Sequence, residues 1–139
     1  MLRMNLARPC EFLSDEENDR RVQMLSVGLI VWGVEDVPRA IKFWCAALDY
    51  KPRDVPSVDW AVLVPRQGTG VQIALDLADL PVLPGRPRHH LDLDADDQAT
   101  EVERLLGLGA RLVERDYPPE ADFVVLGDPD GNRFCVIQT

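Results

Sequence analysis

The segment Phe123-Val-Val-Leu-Gly-Asp-Pro-Asp-Gly-Asn-Arg-Phe-Cys-Val-Ile137 predicts a β-hairpin near the end of the chain. Its two apolar runs have the composition of strands, and Asp128-Pro-Asp-Gly131 between them supplies the residues that a tight turn requires. Successive side chains of a strand point to opposite faces, so Cys135 is expected on the face opposite Phe134. If Phe134 packs in the core, Cys135 lines the free face of the sheet.

The hairpin closes a supersecondary unit that the sequence contains twice, in residues 26–77 and 88–138. Each copy has the pattern of a strand, a helix and three further strands. The helices are expected to begin near Asp36 and near Asp97, and the second to stop at Gly109, a residue suited to the end of a helix. Neither copy has enough apolar surface to be stable alone, so the two are predicted to share a sheet within one domain.

The later strands of the two copies align without a gap, from Asp59 and from Asp122 onwards, which makes Gln72 the counterpart of Cys135. Strand parity collects a polar set on the face away from the helices. Trp60 begins the third strand and is expected to be able to stack on a planar ligand there. The polar set, which predicts a ligand cup on a curved sheet, consists of Gln72, Asp76, His90, Asp92 and Cys135.

The composition excludes several classes of function. The 139 residues carry a net charge of -9, with a pI near 4.6, which opposes nucleic-acid binding because phosphates attract clustered Lys and Arg. No apolar run has the length of a membrane span, and residues 1–24 lack a secretory apolar region. The chain is therefore expected to be a cytoplasmic protein without nucleic-acid or membrane partners.

The chain is expected to form a single domain, residues 25–139, preceded by an N-terminal extension, residues 1–24. Within the domain the two modules are expected at 25–80 and 86–139. The three cysteines are odd in number and have no C-x-x-C spacing, which argues against disulfides and against a zinc ribbon.

Several motifs in this order resemble the vicinal oxygen chelate superfamily, the group of glyoxalase I, the bleomycin-resistance proteins and the extradiol dioxygenases. They are V-E-D-V-P-R-A-I-K-F-W and A-L-D-Y in the first copy, and H-L-D-L-D-A-D-D, L-G-A and D-P-D-G-N-R-F-C-V in the second. The resemblance covers residues 26–138 and is nearest to small glyoxalase-like proteins whose last strand carries F-C-V. It implies an α+β fold of two tandem βαβββ modules, which form a curved mixed-sheet cup with the helices on its outer face.

The resemblance also implies positions for a metal quartet, with one ligand on the first strand and one on the last strand of each half. His90 matches the first-strand position of the second half, and its counterpart in the first half falls near Leu29, which cannot bind a metal. The last-strand positions fall at Gln72 and Cys135, where metal-dependent members usually have Glu. No cofactor is therefore expected, and the alternative is a divalent metal such as Zn²⁺ held by His90, Cys135 and Asp76.

Three functions are compatible with these expectations, the third being a purely structural or protein-interaction role that a cup filled with side chains would favour. The first is a small-molecule binding protein of the glyoxalase/bleomycin-resistance type, working as a homodimer. The second is a glyoxalase-like lyase or isomerase that uses a divalent metal or His90 as a catalytic acid or base; whether the chain is an enzyme stays open. For single residues the simpler interpretations are an inert buried thiol at Cys135 and a polar edge residue at His90. The expected ligand-binding residues are Gln72, Asp76, His90, Asp92, Cys135 and Trp60.

Overall fold

The computed structural model describes residues 25–85, 87 and 89–139, which form two modules of the same topology. The expected N-terminal extension lies outside the described residues. The elements of the first module are β1 (Ile30–Val34), α1 (Val37–Leu48), β2 (Tyr50–Pro52), β3 (Trp60–Pro65) and β4 (Ile73–Leu77). Those of the second module are β5 (Leu91–Ala95), α2 (Gln98–Gly107), β6 (Arg111–Leu112), β7 (Phe123–Gly127) and β8 (Arg133–Gln138).

Each module contains its own four-stranded mixed sheet. The strand orders are β1-β4-β3-β2 and β5-β8-β7-β6, and in each sheet the first and last strands of the module pair in parallel. The predicted α+β fold of two tandem modules is confirmed, and the open sheets are consistent with a curved cup. The sharing of one sheet is not observed, because no described strand pairs across the modules.

Both helices begin at the aspartates that the sequence indicates. The side chain of Asp36 accepts a hydrogen bond from the backbone N–H of Arg39 at 3.0 Å, and that of Asp97 accepts one from Thr100 at 3.1 Å. Each carboxylate thus satisfies a backbone donor that has no partner within its helix. Gly109 follows the last turn of α2 with φ of 114°, a left-handed conformation that suits glycine. No helix among the described residues is long and apolar enough to span a membrane.

The core lies on the helix side of both sheets and is shared by the two modules. Phe43 and Trp44 of α1 pack on Phe134 of β8, with ring centres 6.2 and 5.2 Å apart from that of Phe134. All three aromatic residues are buried. Burial of rings of this size supplies a large part of the apolar area that stabilises such a domain. The modules therefore form one packed unit, in agreement with their low apolar content as separate pieces.

The turn between β7 and β8 adds a polar connection to this core. Asp128 is buried, and its Oδ2 accepts hydrogen bonds from the indole N–H groups of Trp32, at 3.3 Å, and Trp44, at 3.1 Å. Its Oδ1 accepts from the backbone N–H groups of Asp130 and Asn132. Burial raises the pKa of Asp128, and these hydrogen bonds oppose that rise. One carboxyl group thus holds the turn of the second module against two tryptophans of the first.

Asp130 makes a second connection from the same turn. Its Oδ1 accepts hydrogen bonds from the backbone N–H groups of Glu35, at 2.7 Å, and Asp36, at 3.1 Å, and from the guanidinium of Arg39, at 2.8 Å. These groups surround the start of α1, where the helix dipole favours a negative charge. The D-P-D-G turn therefore both closes its own hairpin and anchors the first helix of the other module.

Candidate ligand-binding site

The free face of the second sheet, meaning the face turned away from α2, carries a group of polar side chains. Strand pairing places Asp92 of β5 beside Cys135 of β8, and Cys135 beside Val125 of β7. Phe134 is fully buried and Cys135 is only half-buried. The predicted opposition of these two side chains is confirmed, and Cys135 faces away from the core.

His90 precedes β5 and completes a compact cluster with Asp92 and Cys135. The Nδ1 atom of His90 lies 3.0 Å from Oδ1 of Asp92, and the nitrogen, oxygen and sulfur atoms of the three side chains all lie within 4.8 Å of one another. Donation from Nδ1 to Asp92 fixes the tautomer of a neutral imidazole and leaves Nε2 as its acceptor nitrogen. The cluster therefore offers an oriented imidazole next to a thiol.

Cys135 is held as a neutral thiol by its surroundings. Burial raises the pKa of the Cys135 thiol, and the carboxylate of Asp92 raises it further, whereas the guanidinium of Arg115 acts in the opposite direction. Because the thiolate is the reactive form of cysteine, a raised pKa lowers the nucleophilicity of this group at neutral pH. The arrangement does not favour Cys135 as a nucleophile.

A cavity of about 250 Å³ opens beside the cluster. Within it the guanidinium of Arg115 lies 5.4 Å from the ring centre of Tyr117 and 5.3 Å from that of Phe123. The Tyr117 hydroxyl in turn accepts a hydrogen bond from the backbone N–H of Val125 at 3.0 Å. The lining residues of the cavity are Pro87, His90, Arg115, Val125, Arg133 and Cys135.

A larger cavity, of about 400 Å³, lies on the helix side between α1 and α2. Arg104, the one cation among the described residues of its lining, is already bound to Glu101 and to the backbone carbonyls of Ala46 and Ala47. The other charged groups of its lining are carboxylates, and the lining contains no histidine or cysteine. The smaller cavity on the free face is therefore the better candidate for chemistry.

The other three predicted site residues lie on the free face of the first sheet. Trp60 pairs with Asp76 across β3 and β4, and Trp60 is 41% exposed. Gln72 accepts a hydrogen bond through its Oε1 from the guanidinium of Arg53 at 3.0 Å. No hydrogen bond or ion pair in the described part of the chain joins these three residues to His90, Asp92 or Cys135. The six predicted site residues are thus divided between the two sheets, three on the first and three on the second.

The gapless alignment of the two copies is wrong by two residues at the last strand. The first residue of β1 pairs with Ile73, and the first residue of β5 pairs with Phe134, so Ile73 and Phe134 are equivalent. The next residues are Ala74 and Cys135, and the counterpart of Cys135 is therefore Ala74 and not Gln72. The reason is the hairpin of the first module, which is two residues longer between its paired strands.

The corrected register compares the two free faces position by position. It keeps the expected match of His90 with Leu29, and it matches Asp92 with Val31 and Cys135 with Ala74. Two of the four quartet positions, Leu29 and Ala74, hold hydrocarbon side chains, so the residues present do not fit the metal quartet that the resemblance implies. Zn²⁺ binding through Asp76 also lacks support, because Asp76 pairs with Trp60 on the other sheet.

Two arginines of the cavity are absent from the sequence-based set. Arg133 precedes Cys135 by two residues and therefore lies on the same face of β8, a relation that strand parity could have shown. Arg115 follows the two-residue strand β6, which is too short to show a periodic pattern. Its position becomes visible only through its contacts with Tyr117 and Phe123.

Comparison with known proteins identifies the family. A family model described as "Glyoxalase-like domain" matches residues 29–137, so the chain belongs to the glyoxalase-like domain family. The match is consistent with the vicinal oxygen chelate superfamily and confirms the resemblance drawn from the motifs. No curated protein matches the chain.

Solved structures with the same fold have low sequence identity to this chain. A glyoxalase/bleomycin resistance protein/dioxygenase family enzyme from Burkholderia phytofirmans PsJN is 17% identical, with a TM-score of 0.63 over 82% of this chain and 98% of its own. A glyoxalase-related enzyme from Fulvimarina pelagi is 18% identical, with a TM-score of 0.60 over 85% and 89%. The fosfomycin resistance protein FosX from Listeria monocytogenes is 15% identical, with a TM-score of 0.64 over 86% and 93%. A point mutant of that FosX forms a complex with Mn(II) and 1S,2S-dihydroxypropylphosphonic acid.

Proposed function

We propose that this protein binds a small organic molecule on the free face of its second module and does so without the metal quartet of its relatives. The observation that carries the proposal is the contrast between equivalent positions of the two modules. His90, Asp92 and Cys135 lie together beside a cavity, whereas the equivalent residues of the first module are Leu29, Val31 and Ala74.

The cavity has the properties of a binding site for a small ligand. Its lining combines the apolar side chain of Val125 and the neutral thiol of Cys135 with the hydrogen-bonding groups of His90, Arg115 and Arg133. Ligand sites in proteins characteristically combine apolar walls with a few oriented polar groups. The solved structures with the same fold include a FosX mutant in complex with a small molecule, and this supports the same general class of ligand here.

A second candidate is a metal-free lyase or isomerase in which His90 acts as acid or base. The observation that favours it is the contact of 3.0 Å between His90 Nδ1 and Asp92 Oδ1. A carboxylate in this place orients the imidazole and stabilises the imidazolium that forms when Nε2 takes a proton. Replacement of His90 by Ala abolishes turnover of a substrate under this candidate, and only weakens ligand binding under the first.

The proposal includes a homodimer located in the cytoplasm. Self-association is supported by β1, an edge strand with no partner on its outer side in the described structure. Val31 on this strand is 51% exposed, and an apolar edge strand is a favourable surface for pairing with a second chain. Sedimentation of the full chain tests the dimer independently of ligand binding.

The test of the proposed function is a fragment titration followed by ¹H–¹⁵N NMR, together with metal analysis of protein purified without a histidine tag. We expect fragments to shift the amides of Val125 and Cys135, and no stoichiometric metal. Cys135→Leu places a larger side chain in the cavity lining and should remove the shifts at Val125. Val58→Leu is the control, because Val58 is an exposed apolar residue of the first module outside the cavity lining, and it should leave them unchanged. Near-stoichiometric Zn, Ni, Mn or Fe, or a fragment set that perturbs no amide of the second sheet, contradicts the proposal.

A further inference from the structure

The geometry points to a ligand class: we propose that the cavity beside His90 and Cys135 binds a small organic anion, whose carboxylate or phosphoryl oxygens are held by Arg115 and Arg133. The inference rests on the proposed function, because it names the ligand class of the same site. Both arginines line the cavity.

Arg115 and Arg133 have no carboxylate partner within the described residues, unlike several other arginines of the chain. Arg39, Arg53, Arg66 and Arg104 each lie between 2.6 and 3.3 Å from a carboxylate oxygen. A guanidinium presents five N–H donors in a planar fork, which matches two oxygens of a carboxylate or a phosphoryl group. Two such groups beside one cavity supply donors that an anionic ligand can use.

Arg115 is held in place without using its N–H donors on any acceptor among the described residues. Its guanidinium lies over the rings of Tyr117 and Phe123, and these rings contact each other with their centres 5.5 Å apart. Cation–π contacts of this kind stabilise the position of a cation while its edge remains available for hydrogen bonds. A guanidinium that is already positioned loses less conformational entropy when the ligand binds.

The charge balance of the cavity also favours an anion. None of the described residues that line it is a carboxylate, and the nearby carboxylate of Asp92 is engaged with His90. Burial and Asp92 raise the pKa of Cys135, so its thiol adds no negative charge at neutral pH. Glu114 and Asp116 lie with both arginines around a neighbouring cleft, but neither is within ion-pair distance of them. In a chain with a net charge of -9, this lining thus carries two guanidinium groups and no carboxylate among the described residues.

The size of the cavity restricts the ligand further. A volume of about 250 Å³ lies just below the usual range for ligand sites in proteins. Its apolar surface comes from Pro87, Val125 and Cys135. These properties fit a compact molecule with one anionic group and a short apolar part, and they do not fit a nucleotide or a long acyl chain.

The experiment is an NMR titration of the full chain with butyrate, propylphosphonate and the neutral butyramide at constant ionic strength. We expect at least one of the two anions to shift the amides of Val125 and Cys135 and to bind about tenfold or more tightly than butyramide, because a charge-assisted hydrogen bond contributes at least this factor. The anion with the tighter binding identifies the carboxylate or the phosphoryl group as the preferred one. Added salt should weaken binding of the anions and leave butyramide unaffected.

Variants connect this selectivity to the two arginines. Arg133→Gln should weaken anion binding about tenfold and change the affinity for butyramide by less than about twofold. Arg115→Lys keeps the charge and should show a smaller loss, since the fork geometry disappears. Arg111→Gln is the matched control, because this exposed residue of β6 lies outside the cavity lining and its replacement changes the net charge equally; it should not alter binding.

Three outcomes overturn the inference. Equal binding of butyramide and butyrate at the same amides removes the anion requirement while the proposed function stands. Unchanged anion binding in both Arg133→Gln and Arg115→Lys, each with a well-dispersed NMR spectrum, shows that these two arginines do not hold the ligand. The absence of shifts with all three probes overturns both proposals together.

Discussion

The two modules have the same strand order and the same helix position, but they differ in how deeply the helix is buried and in the polarity of the free face of the sheet. The first module buries its helix deeply, with Val37, Ala40, Phe43 and Trp44 all in the core, whereas α2 of the second module buries only Leu105 to that degree. On the free faces the contrast is reversed. The second sheet presents His90, Asp92 and Cys135, and the equivalent positions of the first are apolar.

The two copies of a duplicated unit can thus take on different roles while both keep the same topology. The first module supplies most of the apolar helix packing, and the second supplies the polar site together with the turn that joins the modules. Because the connecting carboxylates come from the second module and the groups they bind come from the first, the modules should depend on each other for stability.

The largest effect is expected from Asp128→Ala. This change leaves the indole N–H groups of Trp32 and Trp44 without their buried acceptor, and a buried donor without a partner costs about 1–3 kcal/mol. We therefore expect a loss of about 3 kcal/mol or more in the free energy of unfolding, measured by urea denaturation. The exposed Asp122 is the control, and Asp122→Ala should change stability by less than about 0.5 kcal/mol. Equal midpoints for the two variants would show that the turn does not connect the modules energetically.

An intermediate effect is expected from Asp130→Ala compared with Asp36→Ala. Asp130 accepts three hydrogen bonds at the start of α1 from the other module, whereas Asp36 caps the same helix from within its own module with one. We expect a loss of about 2 kcal/mol for Asp130→Ala and of about 1 kcal/mol for Asp36→Ala. The comparison uses thermal and urea denaturation of both variants. A larger loss for Asp36→Ala would mean that the cap from within the first module stabilises α1 more than the contact with Asp130 of the second module does.

The smallest effect concerns the reactivity of the site and not the stability of the fold. Burial and the carboxylate of Asp92 raise the pKa of Cys135, and alkylation requires the thiolate, so the rate of alkylation should rise with pH only above the range of an ordinary thiol. Asp92→Asn removes the carboxylate, lowers this pKa and should quicken alkylation at neutral pH by roughly threefold. Peptide mapping after iodoacetamide treatment measures the rate for each cysteine.

Cys45 provides the internal control for that measurement. Burial raises the pKa of Cys45 as well, but the charged neighbour that acts on it is Arg66 and not Asp92. Its alkylation should therefore be slow in both proteins and insensitive to Asp92→Asn. If both cysteines respond equally, the effect of the substitution is a general loosening of the fold and not a change of local charge.

Those parts of the structure that depend on local chemistry could be predicted from the sequence. Asp36 and Asp97 were identifiable as helix starts because an aspartate before an apolar helical pattern is a strong capping signal, and the D-P-D-G turn indicated the last hairpin. Contacts distant in sequence could not be predicted in this way. The role of Asp128 as acceptor for two tryptophans depends on how the modules pack, and no local pattern encodes it.

The candidate site was predictable to a similar extent. Alternation along β5 and β8 correctly places Asp92 and Cys135 on one face, and His90 adjoins them. The division of the six predicted residues between two separate sheets was not predictable, because both sheets have the same alternating pattern. Arg115 was missed because its position depends on stacking against Tyr117 and Phe123 in an irregular segment.

The extra length of the hairpin in the first module has a consequence for comparisons among relatives. Side chains along a strand alternate between the two faces of the sheet. A misalignment by two residues therefore pairs a residue with the wrong equivalent in the other module but still places it on the correct face. Gln72 and Ala74 both lie on the free face of β4 or its extension, and exchanging them leaves the face assignment intact. A misalignment by one residue would instead have matched Cys135 with a core position such as Ile73. When the two copies are aligned in this family, the face of the sheet and the exact equivalent residue should therefore be assigned separately.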